Sequence, residues 1–252
     1  MSILENLLQC RDEKGGGFFL LLDPDRGSMD NILSLSAVAE DSGVDAILVG
    51  TSFVLESNFH DAVKEIKSQT NLPVIIFPGA HSQITPHADA ILFTSLISGR
   101  NPQYLIDEQV KGAPIIKSLG LEPIATGYML IESGKYTSVQ YISGTMPIPA
   151  TKYDIACAHA LAAQYMGMKM VFMEAGSGAE NSVSDLMIKK VAGYVDLPIM
   201  VGGGIDSPDE VASKIRAGAS FVVVGNHFEN SHDFEKLKEF AEAAHPMEQI
   251  KV

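Results

Sequence analysis

Glu174 opens the segment Glu174-Ala175-Gly176-Ser177-Gly178, directly after the apolar run Met170-Val171-Phe172-Met173. A carboxylate among glycine and serine at a strand end can accept hydrogen bonds from substrate hydroxyls or act as a base. It can equally sit at a helix start and interact with the helix dipole. Two further glycine turns follow apolar runs: Gly202-Gly203-Gly204 after LPIMV, and Gly225-Asn226 after FVVV. Glycine turns sharply and lets a ligand approach bare backbone N–H groups. Repeated at strand ends that feed helices, such turns build a phosphate cradle. The chemistry on offer is therefore recognition of a phosphorylated, hydroxyl-bearing molecule.

A second cluster could hold a metal. Asp23-Pro24-Asp25 follows FFLLL, and the proline ends the strand, leaving carboxylates at its C-terminal end. Magnesium takes one or two carboxylates and fills its other positions with water and phosphate oxygens. Thr51-Ser52, after the second apolar run, could add a hydroxyl; a polar turn and a helix N-cap are the competing readings. Arg100, in SGRNP, is a cation that could meet a second anionic group. No Gly-x-Ser-x-Gly elbow, Walker loop or metal-like Cys/His spacing occurs in the chain.

Positioning these groups requires strands joined through helices. Short apolar runs predict strands near 17–22, 45–49, 73–77, 89–93, 121–126, 169–173, 198–201 and 220–224. Buried strands alternating with helical segments imply a parallel sheet, and that number closes a (β/α)8 barrel, with an open doubly wound sheet as the alternative. The expected domain is a single barrel over 1–252. Residues 78–88, with Pro78, Gly79 and Pro86, are too short and too rich in breakers for a crossover helix. The third helix is expected to be missing or replaced by extended chain. Residues 127–150 form an unusually long connection rich in glycine, proline and tyrosine, which suggests a substrate cover.

Composition bounds the partners. A formal charge of −13 argues against non-specific nucleic-acid binding. Cys10 and Cys157 read as reduced packing thiols. The N-terminus lacks the pattern of a secretory signal, and no apolar run reaches membrane-spanning length, so a cytoplasmic protein is expected.

Several motifs in order resemble the geranylgeranylglyceryl phosphate synthase family, in the branch shared by archaea and some bacteria. They run from LLLDPDR through ILVGTS, IIFPG, LISGRNPQYLI, LEPIATGYMLIE, ALAAQYMGMKMVFMEAGSG and MVGGGI to VVVGN, covering nearly the whole chain. The resemblance implies a modified barrel lacking its third helix. It also implies a Mg2+-dependent prenyltransferase that joins sn-glycerol 1-phosphate to geranylgeranyl diphosphate by an ether bond. Asp23 and Ser52 would be the magnesium ligands. Phe172, Met173, Glu174, Ala175, Gly176, Ser177 and Gly178, with Gly203, Gly204, Gly225 and Asn226, would form the glycerol-phosphate site. Glu174 would hold the glycerol hydroxyls and help deprotonate the attacking one, and Tyr128, in GYML, would be a pocket residue counted with Glu174 as catalytic.

One position departs from the bacterial heptaprenyl relatives. They carry a lysine two residues before the metal aspartate, where this chain has Leu21, so other donors must neutralise that phosphate charge. A C20 chain needs an apolar groove, for which Phe77, Phe93, Leu96, Ile97, Tyr104 and Leu130 are candidates. The family implies a homo-oligomer, dimer or hexamer, with LISGRNPQYLI as a candidate interfacial helix. The lipid-like product implies transient membrane contact. A sugar-phosphate isomerase or aldolase, an FMN-binding oxidoreductase and a non-enzymatic phosphometabolite sensor are the rival readings of the glycine turns.

Overall fold

A computed structural model describes residues 1–54, 58–225, 227–228 and 233–247. Eight parallel strands close into a barrel in sequence order, with the first pairing the last. They are β1 (Gly17–Leu22), β2 (Ala46–Val49), β3 (Val74–Ile76), β4 (Ala90–Leu96), β5 (Glu122–Leu130), β6 (Met170–Glu174), β7 (Ile199–Gly202) and β8 (Phe221–Val224). Most are short, continuous apolar runs, as strands buried on both faces require. Alternate residues point inward and outward. The inward set includes Phe19, Leu48, Ile75, Leu92, Tyr128, Phe172, Met200 and Phe221 and fills the barrel interior. The outward set, including Leu20, Val49, Met173 and Val201, packs under the surrounding helices.

Helix α1 (Ile3–Lys14) plugs the N-terminal end of the barrel with Leu7, which packs against the inner set. Its start is fixed by a Ser2–Glu5 capping box, and its Ile3 and Leu4 N–H groups donate to the Glu122 carboxylate at the start of β5. Asp45, at the same end, is buried. It accepts from Phe18 N (2.7 Å), Lys14 Nζ (2.8 Å) and Cys10 Sγ (3.0 Å) and lies 2.8 Å from His245 Nε2. Burial by itself would raise this carboxyl, but the hydrogen bond and charge of His245, with Cys10 and Lys14, hold it below its ordinary value.

The crossover from β3 to β4 contains no α-helix. One 3-10 turn, His81–Gln83, interrupts otherwise extended chain. Buried Gln83 pins that segment, accepting from Gly79 N (2.6 Å) and donating to the Thr51 carbonyl (3.0 Å). The other crossover helices are α2 (Met29–Val38), α3 (Phe59–Ser68), α4 (Glu108–Leu119), α6 (Tyr153–Tyr165), α7 (Asp185–Ala192) and α8 (Pro208–Ala217), and α9 (Phe234–Ala244) follows β8. Among the described residues, no helix is long and apolar enough to cross a membrane.

Three expectations need correction. β4 and β5 extend beyond 89–93 and 121–126, because they pair continuously from Ala90↔Glu122 to Leu96↔Tyr128. Gly127 looks like a strand end in the sequence, yet it lies within β5, where a Cβ would come 2.9 Å from the Ala163 Cβ of α6. Second, LISGRNPQYLI is not one helix. It is the end of β4, a turn, and a π-helical turn, Gln103–Asp107, that runs into α4. Third, the stretch 127–150 is not all loop: Tyr128–Leu130 complete β5, and Ser138–Ser143 form helix α5.

Candidate active site

The site forms where inward-facing positions run out at the C-terminal ends of the strands. Glu174 is the next inward residue after Phe172, as Asp23 is after Leu21 and Gly225 after Val223. Side chains from several strands therefore meet above one floor. That floor is aromatic: Phe77, Tyr128 and Phe172 lie with ring centroids 5.1–5.8 Å apart.

Above it opens a cavity of about 410 Å³. Its polar wall carries Asp23, Thr51, Ser52, Glu174, Ser177, Gly178, Gly203, Gly204 and Gly225. Its apolar arm passes Phe77, Phe93, Leu96 and Tyr104 toward Ile84, Gly112 and Ile116, on the side where the crossover helix is missing. Helix α5 lies over the opening with Val139, Ile142 and Ser143.

The glycine run at 202–204 does more than bare its amides. A Cβ on Gly202 would sit 2.5 Å from Glu174 Oε2, and one on Gly203 would overlap Oε1. Gly203 also has φ +82°, a conformation that L side chains rarely adopt. The run thus leaves the volume that the Glu174 carboxylate occupies. Oε1 accepts from Gly176 N (2.8 Å). Burial pushes the Glu174 carboxyl up to about 7, only partly offset by that N–H. A carboxyl poised there can take or give a proton near neutrality. Tyr128 is buried beside it, and burial together with the Glu174 charge pushes its phenol well above the ordinary value. It stays protonated and offers an O–H donor rather than a base.

Asp23 is buried, and its Oδ1 accepts from Asp25 N (3.0 Å). Burial raises its carboxyl, while the Asp25 N–H, the Arg26 charge and a Thr51 hydrogen bond work against that rise. Thr51 and Ser52 follow β2, the parallel neighbour of β1, so their hydroxyls share the rim with Asp23. One carboxylate with neighbouring hydroxyls is a donor set that suits magnesium, which keeps waters and phosphate oxygens in its remaining positions.

The predicted residues separate into groups. Asp23, Ser52, Tyr128, Glu174, Ser177, Gly178, Gly203, Gly204 and Gly225 are brought together on the cavity. Phe172, Met173 and Ala175 are fully or almost fully buried, with Met173 and Ala175 packed outward, so they can offer a ligand only backbone groups. Gly176 reaches the site through its N–H to Glu174. Asn226 lies outside the described residues. Arg100 is not brought to the cavity: its Nη1 turns back onto the Ile97, Ser98 and Gly99 carbonyls. Of the groove candidates, Phe77, Phe93, Leu96 and Tyr104 line the cavity, whereas Ile97 and Leu130 pack into the core.

Sequence reasoning missed Arg26. Its Nε lies 3.4 Å from Asp23 Oδ2, Nη1 donates to Ser177 Oγ (2.9 Å), and Nη2 donates to Ser138 Oγ (3.3 Å). The signal was its position in DPDR, three residues after Asp23. His227 also lines the cavity, and burial lowers its imidazole below the ordinary value.

Fold and site define a (β/α)8 barrel with a glycine-lined polar wall at the C-terminal ends of its strands, opened on one side by an apolar groove. The model of the PcrB family matches residues 8–244. A geranylgeranylglyceryl phosphate synthase of Chitinophaga pinensis is 44% identical over 237 residues, covering 93% of either chain. One from Thermococcus kodakarensis is 43% identical over 222 residues, covering 88% of this chain and 87% of the relative. The crystal structure of (S)-3-O-geranylgeranylglyceryl phosphate synthase from Thermoplasma acidophilum, in complex with its substrate sn-glycerol-1-phosphate, matches with a TM-score of 0.92. It is 34% identical and covers 97% of this chain and 99% of its own. The chain belongs to the PcrB family.

Proposed function

We propose that this protein is a prenyltransferase that joins sn-glycerol 1-phosphate to geranylgeranyl diphosphate through an ether bond. The observation that carries the reading is the shape of the cavity. A polar wall of glycine amides around a buried Glu174 continues into an apolar arm where a crossover helix is replaced by extended chain. The sequence identity to the synthases and the match to the glycerol-phosphate complex support the same reading.

In this reading, the glycerol phosphate rests on the backbone amides of Gly203, Gly204 and Gly225. The turn at Gly203 and Gly204 leads to α8, whose N-terminus favours anions. Glu174 Oε1 is occupied by the Gly176 N–H, so Oε2 is the atom that accepts the sn-3 hydroxyl proton. The hydroxyl oxygen bonds to C1 of the prenyl chain as the C1–O bond to diphosphate breaks and its electron pair leaves with the diphosphate. The Tyr128 phenol stays neutral and orients the reacting oxygen without competing for its proton. Asp23 and Ser52 would hold Mg2+, which when bound supplies neutralisation of the leaving diphosphate. The aromatic floor and α5 exclude water from the developing allylic cation. Burying the C20 tail in the apolar arm adds ~0.8 kcal/mol per CH2.

The reading extends to assembly. Tyr136, Tyr141 and Met146, on and around α5, are 82–84% exposed, which supports a homo-oligomer or a transient contact with the membrane that receives the product.

The test is incubation of the purified protein with labelled sn-glycerol 1-phosphate, magnesium and prenyl diphosphates of several lengths. Ether formation, greatest with the C20 donor, is expected, and absence of ether with every donor would overturn the reading. Asp23→Ala should abolish metal-dependent turnover in a folded protein, and full activity in that variant would remove Asp23 from the metal site.

A further inference from the structure

The cavity has a charge problem. Its described lining brings the carboxylates of Asp23, Glu108, Glu174, Glu180 and Asp206 and no lysine or arginine. Residues 55–57 and 229–232, outside the described set, include no lysine or arginine either. The glycerol phosphate has the backbone amides of the glycine turns to meet it. A diphosphate ester beside Asp23 carries more negative charge than one magnesium ion can balance, and Asp23 adds to the excess.

Arg26 stands just outside that lining, against two of its residues, Asp23 and Ser177. The turn that follows β1 folds back through Arg26 N and Gly27 N, which both donate to the Asp23 carbonyl (3.1 and 3.2 Å). That fixes Arg26 on the same short turn as Asp23. Its guanidinium spans the seam between the metal side and the glycine side of the site, reaching Asp23 with one edge and Ser177 and Ser138 with the other. These partners are weak for a guanidinium. Two are neutral hydroxyls, and the carboxylate contact, at 3.4 Å, is longer than the 2.7–2.9 Å usual for a charge-assisted hydrogen bond. Phosphate oxygens, which accept a planar fork of N–H donors, are better ones.

We propose that Arg26 is the diphosphate-binding cation of this enzyme, exchanging its serine partners for oxygens of the leaving group. The inference rests on the prenyl-transfer reading for the identity of the ligand, but the diphosphate contact can be measured separately. Through Ser138 and Ser177 the same exchange would couple diphosphate arrival to the position of α5 and of the β6 turn.

The experiment is calorimetric binding of inorganic pyrophosphate with magnesium, and separately of sn-glycerol 1-phosphate, to the wild type and to R26A, R26Q, R26K and S138A. Thermal unfolding of each variant checks that it is folded; because the Arg26 side chain is partly exposed, little change is expected. R26A and R26Q should weaken pyrophosphate binding by about tenfold to a hundredfold and raise KM for the prenyl diphosphate similarly, with glycerol phosphate affinity changing by less than about threefold. R26K should recover part of the loss, and S138A should bind pyrophosphate as the wild type does. Unchanged pyrophosphate affinity in R26A would overturn the proposal. So would equal losses for both ligands, or an S138A defect matching that of R26A, since either would mean that Arg26 only holds α5 in place. If the wild type bound pyrophosphate through Arg26 yet formed no ether, the functional reading would fail and the diphosphate site would stand.

Discussion

Asp45 and Glu174 are both buried carboxylates in one barrel, and their environments drive them in opposite directions. Asp45, at the N-terminal end, receives Phe18 N–H, Lys14, Cys10 and His245, and its carboxyl is held below its ordinary value. Glu174, at the C-terminal end, receives one N–H in a cleft cleared by glycines, and burial raises it to about 7. Burial acts on both; the donors supplied decide which form survives it. One end of the barrel gives its carboxylate enough partners to lock three chain segments together. The other withholds partners and keeps a group able to change protonation.

The largest expected effect comes from removing the poised carboxylate. Glu174→Gln should lower kcat/KM by about 10²- to 10⁴-fold while the fold persists. Wild-type activity should rise with pH through about 7 as Glu174 ionises, and the variant should lack that limb. A Gln variant that keeps both the rate and the limb would remove Glu174 from the proton transfer. Stability should move the other way. The folded state holds the Glu174 proton more tightly than the unfolded chain, so that contribution is full below the ordinary value of 4.5 and lost as pH rises through about 7. At pH 8, Glu174→Gln should therefore be more stable than the wild type, by on the order of 3 kcal/mol in urea unfolding. The gap should close near pH 4.

Asp45→Asn should do the reverse, costing roughly 3–5 kcal/mol of stability at pH 7 with little change in kcat/KM. The folded carboxyl is lowered, so its contribution is present above the unfolded value of 3.8 and lost as pH falls through the folded one. Urea unfolding of the variant and wild type should converge in strong acid. Equal stabilities at neutral pH would show that the cluster pins nothing.

Gly203→Ala tests whether the cleft is built for Glu174. The added methyl overlaps the carboxylate at a positive φ, so a loss of about 1–3 kcal/mol is expected, together with reduced turnover. Normal turnover in that variant would mean that the carboxylate has room to move. The smallest effect belongs to Cys10. Burial, with Asp45 beside it, pushes its thiol up to about 12. Iodoacetamide at pH 8 should therefore leave it largely unmodified in the native protein, and Cys10→Ala should cost no more than about 1.5 kcal/mol. Rapid native labelling would contradict a thiol engaged at the barrel floor.

The local patterns were readable because they are short-range. Apolar runs marked the strands, Pro78, Gly79 and Pro86 marked the missing helix, and the glycine turns after runs marked positions that line the cavity. Failures came where a neighbour decides. Gly127 reads as a strand end, but pairing with β4 on one side and β6 on the other carries β5 on to Leu130. Arg100 and Arg26 each follow a strand in a polar turn. One folds onto its own loop carbonyls, and the other reaches across to Ser177, 151 residues away.

By itself the sequence determined the barrel and the residue types at its catalytic end, since both follow from periodicity and turn chemistry along a few neighbouring positions. Tertiary structure decided what those residues became. It set how many donors each buried carboxylate receives, which glycine clears space for Glu174, and which arginine stands at the seam. Those outcomes depend on groups far apart in the chain, and only closure of the barrel brings them within a few ångströms of one another.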